Sequence, residues 1–109
     1  MNEEQRNRVR LKTHAKILIK GWEVPGYLRD LSREGCQLSL TRPLELKREQ
    51  ALAVAVLPDP QAGIAAFNFF VQVLWTRADP VFFNLGGPIS PFPGEQHEQG
   101  LRRLFDFYQ

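Results

Sequence analysis

From Leu11 onward the chain alternates between apolar and polar positions. Leu11, Thr13, Ala15, Ile17 and Ile19 fall on one side, with Lys12, His14, Lys16 and Lys20 on the other. A period of two sends successive side chains to opposite faces, so this run predicts a half-buried antiparallel strand. Gly21 and Pro25-Gly26 punctuate a turn into a second strand through Tyr27, Arg29 and Leu31, and a third follows at Cys36 to Leu40. Pro43 breaks the next connection. Gln50 to Leu57 then sets Leu52, Val54 and Val56 against alanines, and Phe67, Phe69, Val71, Val73 and Trp75 share one face of the longest strand. Asp79-Pro80 turns the chain into a sixth strand at about Val81 to Leu85, which Gly86-Gly87-Pro88 is expected to end. Beyond a proline-rich loop the period changes to that of a helix. Leu101, Leu104, Phe105 and Tyr108 stand at i, i+3, i+4 and i+7, a single apolar stripe.

Six short strands and a closing amphipathic helix predict a mainly β fold, a small barrel with the helix packed on it. Periodicity leaves the type of barrel open, because OB-like and SH3-like barrels share this pattern. Met1 to Arg10 has no apolar face and is expected to be mobile without a ligand. The organisation expected is therefore an arm over residues 1–10 and one domain over 11–109, a size that supports a single core.

Composition narrows the function classes. A net charge of +2 is too small for nonspecific coating of nucleic acid, although Arg6, Arg8, Arg10 and Lys12 crowd one end. The lone Cys36 has no partner for an internal disulfide and lies in the alternating run with Leu38 and Leu40, so it reads as a small buried residue. With no apolar leader and no span long enough for a bilayer, a cytoplasmic location is expected. His14 and His97 have no companions at metal-ligand spacing, so no metal or cofactor is expected.

Two short stretches carry candidate chemistry. Arg6-Asn7-Arg8-Val9-Arg10 sets two arginines four residues apart with a third between them. Asp30-Leu31-Ser32-Arg33-Glu34-Gly35 reads Asp-x-Ser-x-x-Gly. Arginine presents a planar fork of donors that fits phosphate or a guanine O6/N7 edge. Aspartate and serine supply acceptors and a hydroxyl, while the glycine permits a positive-φ turn and close approach of a ligand. Such a set suits an anionic ligand bearing a purine.

Together the two stretches resemble the paired Arg-x-x-x-Arg and Asp/Asn-x-Ser-x-x-Gly motifs of the PilZ family, bacterial domains that bind cyclic di-GMP. Gln72-Val73-Leu74-Trp75 looks like the family's fifth strand and Leu101-Arg102-Arg103-Leu104 like its C-terminal helix, whereas Gly86-Gly87-Pro88-Ile89 departs from its usual last strand. The resemblance implies a six-stranded antiparallel barrel whose flexible N-terminal segment wraps over the ligand. It implies that Arg6 and Arg10 grip phosphates and guanine edges, that Asp30 and Ser32 bond from the barrel, and that Gly35 keeps the turn open. Arg8 and Trp75 are second-tier candidates, Trp75 as an aromatic against a guanine. A family member of this kind relays the signal to a separate protein partner, which the sequence does not identify.

Three other functions compete. An enzyme built on Ser32 lacks a base and an oxyanion site in any recognisable arrangement. A single-stranded nucleic-acid binder is disfavoured because no basic stripe crosses the strands. A degenerate PilZ-like domain that binds proteins alone is disfavoured by the five intact motif positions.

Overall fold

The computed structural model describes residues 11–32, 34–91 and 97–108. In chain order the elements are β1 (Leu11–Ile19), β2 (Val24–Leu31), β3 (Gly35–Leu40), β4 (Ala51–Val56), β5 (Phe67–Gln72), β6 (Trp75–Ala78), β7 (Phe83–Pro91) and α1 (His97–Tyr108). All pairings are antiparallel, in the order β3-β2-β1-β4-β5-β7-β6, and β3 also pairs with β7. That last pairing closes a six-stranded barrel. β6 continues the line of β5 along the same side of β7, β5 against Ile89–Pro91 and β6 against Phe83–Gly86.

The alternation read from sequence holds where strands are regular. Ile17, Ile19, Leu28, Leu38, Val54 and Phe69 are fully buried in one core, each side chain contributing roughly 1.5–3 kcal/mol by leaving water. Truncating Phe69 to alanine in that core should cost about 3–5 kcal/mol. The helix lays Leu101 and Leu104 against the barrel, packing on β1 and β5. Tyr108 meets His14 edge-on at 5.8 Å. Gly100 lets the helix lie close, since a Cβ there would stand 2.5 Å from the Phe67 ring.

Four expectations need correction. The first turn lies at Gly21–Glu23, both of which adopt positive φ (85° and 57°), so Pro25 and Gly26 belong to β2. Second, β2 is not a simple alternation through Tyr27, Arg29 and Leu31. Its register against β3 shifts between Leu28 and Asp30, so Leu28 and Leu31 enter the core and Arg29 and Asp30 share the outer face.

The third correction concerns the long strand. Val71 pairs with Ile89 and Trp75 with Gly86, which leaves three residues facing two. One extra residue is a β-bulge, and it reverses every face beyond it. Trp75 is therefore turned outward, 41% exposed, and does not share the core face of Phe69 and Val71. Fourth, the last strand starts at Phe83 and runs through Gly86-Gly87-Pro88 without a break. A Cβ on Gly87 would collide with the Gln72 carbonyl at the bulge, so glycine is what lets β7 pass there.

Candidate functional site

The strand registers bring sequence-distant residues into one transverse row on the outside of the barrel. Lys12 pairs with Asp30, Asp30 with Gln37, Gln37 with Gly86, and Gly86 with Trp75. Directly paired residues in antiparallel strands point to the same face. The row thus runs from an ammonium through a carboxylate and an amide, over a bare glycine, to an indole. Gly86 is required here by close approach. The Trp75 indole crosses it, with Nε1, Cε2 and Cζ2 lying 2.5–2.8 Å from where a Cβ would be.

Asp30 is the unusual member of the row. It is 7% exposed, and its Oδ1 is buried with no hydrogen-bond partner among the described residues. Lys12 Nζ donates to Oδ2 at 3.4 Å and lies 3.2 Å from Oδ1, the nearer atom without hydrogen-bond alignment. The lysine side chain is 82% exposed, so solvent screens the pair. A buried carboxylate oxygen left unsatisfied costs free energy that an incoming N–H donor would recover.

Ser32 and Gly35 clasp the β2–β3 turn. The Gly35 and Glu34 amides donate to Ser32 Oγ at 3.2 and 3.3 Å, and Ser32 N donates to Gly35 O at 2.9 Å. Gly35 does not need positive φ, contrary to the sequence expectation, because its backbone lies outside that region. Its requirement is steric: a Cβ would sit 2.8 Å from the Gly87 carbonyl of β7. Arg6, Arg8 and Arg10 lie outside the described residues. The first described residue, Leu11, pairs with Leu31, so the chain joins the barrel between Asp30 and Ser32 on the neighbouring strand.

A second row on the outer face, two positions along β3, is built differently. Tyr27, Ser39, Asn84 and Arg77 oppose one another across β2, β3, β7 and β6. Arg29 Nε donates to Ser39 Oγ at 3.2 Å, Ser39 Oγ to Asn84 Oδ1 at 2.6 Å, and Asn84 Nδ2 to Asp79 Oδ2 at 2.9 Å. The Arg29 guanidinium also lies 5.2 Å from the Tyr27 ring centroid and 5.0 Å from that of Phe82. Ser39 and Asn84 of this row are thus bonded to each other and, through Arg29 and Asp79, to residues beside it.

On the far side of Trp75 an open groove of about 300 Å³ runs between Leu44–Glu49 and Val73–Thr76. Cys36 is buried as expected, and burial pushes its thiol up to about 12. Among the described residues no three His, Cys, Asp or Glu side chains are grouped to hold a metal ion, and no helix is long and apolar enough to cross a membrane.

Of the candidates named from sequence, the fold brings Asp30 and Trp75 into the same row and places Ser32 and Gly35 at the neighbouring turn. Lys12 was named from sequence only as part of the basic cluster, and Gln37 was not a candidate. The available signal was alternation itself, since Gln37 is the polar residue between the core positions Cys36 and Leu38.

The class the fold defines is a small closed barrel with a polar row and an exposed indole on its outside. The chain belongs to the PilZ domain family, whose model matches residues 2–106. PilZ domains are binding and adaptor modules. Among solved structures, the Bacillus subtilis inhibitor of motility, MotI/DgrA, superposes with a TM-score of 0.68 at 16% identity, covering 91% of this chain and 47% of that one. The chain thus spans about half the length of that protein. No curated protein sequence matches it.

Proposed function

We propose that this chain is a cyclic di-GMP receptor that passes the signal to a protein partner. The observation that carries the reading is Asp30, a buried carboxylate whose Oδ1 accepts no hydrogen bond from the described residues, set in one row with an exposed indole. Family membership supports the same ligand. In this reading residues 1–10 form an arm and residues 11–109 the receptor domain. Arg6 and Arg10 supply charge-assisted donors to phosphates and guanine edges, and Arg8 assists. Asp30 accepts N–H donors, Ser32 and Gly35 hold the turn beneath the ligand, and Trp75 stacks a base.

Chain reach supports this arrangement. Arg10 is bonded to Leu11, itself paired with Leu31, and Arg6 stands five residues before Leu11. At about 3.3–3.6 Å per extended residue, Arg6 has up to roughly 17 Å to cover from that point. Calorimetric titration at matched salt tests the reading. Cyclic di-GMP should bind more tightly than GTP, GMP or a single-stranded oligonucleotide. Equal or tighter binding of the oligonucleotide would replace it with a nucleic-acid reading.

A further inference from the structure

The polar residues of the two outer rows differ in what they have left to offer. In the second row Ser39 and Asn84 are bonded to each other, and each is bonded onward. In the first row, among the described residues, Asp30 Oδ1 accepts no hydrogen bond and the Gln37 side chain makes none. Gln37 is half-buried and faces outward between the core residues Cys36 and Leu38. An amide held in this position, with both donor and acceptor unused, is suited to reading a ligand edge.

Its place in the row says which edge. Strands lie about 4.8 Å apart, so Gln37 stands roughly 10 Å from Trp75 along the row and Asp30 roughly 14 Å. The indole spans the first interval, across Gly86. A planar base set against the indole therefore meets Gln37 first and Asp30 next. Asp30 is an acceptor when ionised, while Gln37 can turn its NH₂ toward the ligand. Guanine offers the complement, with O6 accepting and the neighbouring N1–H and N2–H donating. Adenine reverses it, offering N6–H as a donor and N1 as an acceptor, and N1 would then face a carboxylate.

Resting on the cyclic di-GMP reading, we infer that Gln37 is a specificity-determining residue. Its amide donates to guanine O6 while Asp30 accepts from N1–H and N2–H. Neither residue alone sets the preference; their order along the row does. Sites built to hydrogen-bond a particular group reject analogues lacking it because their own polar groups are then left unpaired.

The test is calorimetric titration of wild type, Gln37→Leu and Gln37→Glu with cyclic di-GMP and cyclic di-AMP, with a melting curve for each protein. Gln37→Leu should weaken cyclic di-GMP binding about tenfold through loss of one hydrogen bond. Gln37→Glu should weaken it about a hundredfold, because a carboxylate would face O6 beside Asp30. The preference over cyclic di-AMP should narrow in both variants. Because the side chain faces outward, melting should be nearly unchanged in at least Gln37→Leu, which keeps the comparison valid if the glutamate perturbs the fold. Wild-type affinity and preference in a folded variant would overturn the inference and leave the receptor reading standing. A wild type that ignores cyclic di-GMP would overturn both.

Discussion

Asp30 lies on β2 and Asp79 in the turn between β6 and β7 of the same barrel, and their surroundings differ. Asp79 is wholly exposed and spends both oxygens on its own hairpin. Its Oδ1 accepts from Val81 N at 2.8 Å and Phe82 N at 2.7 Å, and its Oδ2 from Asn84 at 2.9 Å. The Phe82 amide, then Asn84 and the Val81 amide, hold its carboxyl below the ordinary aspartate range. Asp30 is buried; among the described residues Lys12 is its ion-pair partner and its Oδ1 accepts no hydrogen bond. The exposed carboxylate is committed to its turn; the buried one has hydrogen-bonding capacity left among the described residues. Exposure is therefore a poor guide to availability, and the hydrogen-bond inventory of each oxygen is a better one.

The largest expected effect tests the buried carboxylate. Asp30→Ala should lower cyclic di-GMP affinity about a hundredfold, since hydrogen bonds to charged groups contribute about 1.5–3 kcal/mol each. Its melting temperature should fall little, because the change also removes a buried oxygen that lacks a partner. A large loss of stability with unchanged affinity would make Asp30 as structural as Asp79. Next come Arg6→Ala and Arg10→Ala, each expected to weaken binding roughly 10- to 100-fold by titration. Both precede β1, so melting of the free protein should hardly move. A shift of several degrees with intact affinity would remove the arginines from the site.

Gly35→Val tests the turn that joins these residues to the barrel. Its new Cβ would press on the Gly87 carbonyl, and overpacking of this kind costs about 1–3 kcal/mol, readable by denaturant titration. Unaltered stability would show that β3 and β7 can move apart there.

The smallest effect belongs to Asp79→Ala. Melting should fall by a few degrees while cyclic di-GMP affinity stays at the wild-type value. Since the folded-state pKa is depressed, Asp79 contributes its stability above the unfolded value of about pH 4 and loses it as pH falls through the folded value. The melting difference between wild type and variant should therefore be full at neutral pH and shrink in acid. A difference that persisted with the Asp79 carboxyl protonated would point to lost packing in the hairpin.

Much of the fold was legible because burial imposes a period. The alternation of β1 and β4 and the stripe of Leu101, Leu104 and Phe105 survive intact in the structure. What escaped reading were the single-residue insertions. A bulge leaves composition unchanged and reverses faces, which is why Asp30, Leu31 and Trp75 point elsewhere than simple alternation says. Gly86 and Gly87 looked like a break, since glycine marks turns and close approaches alike, and only the Trp75 ring and the Gln72 carbonyl distinguish the two. The site was legible in part for a similar reason. Asp30, Ser32 and Gly35 are local in sequence, but the row joining Asp30 to Gln37, Gly86 and Trp75 depends on register, which no period along the chain reveals.

Closure of β3 on β7 has a consequence in time. It joins residues about fifty positions apart, from Gly35 with Pro88 to Leu40 with Phe83. Such non-local pairings bear their loop-closure entropy before any contact compensates, which places barrels of this kind among slower-folding small proteins, on the scale of milliseconds to seconds. During synthesis β2 and β3 emerge long before β7, and the amide and carboxylate face open solvent until Gly86 arrives to complete the row. Competence to bind should therefore appear abruptly, with the last strand, and a ribosome-bound chain halted before Phe83 should carry Asp30 and Gln37 without the glycine and indole geometry beside them.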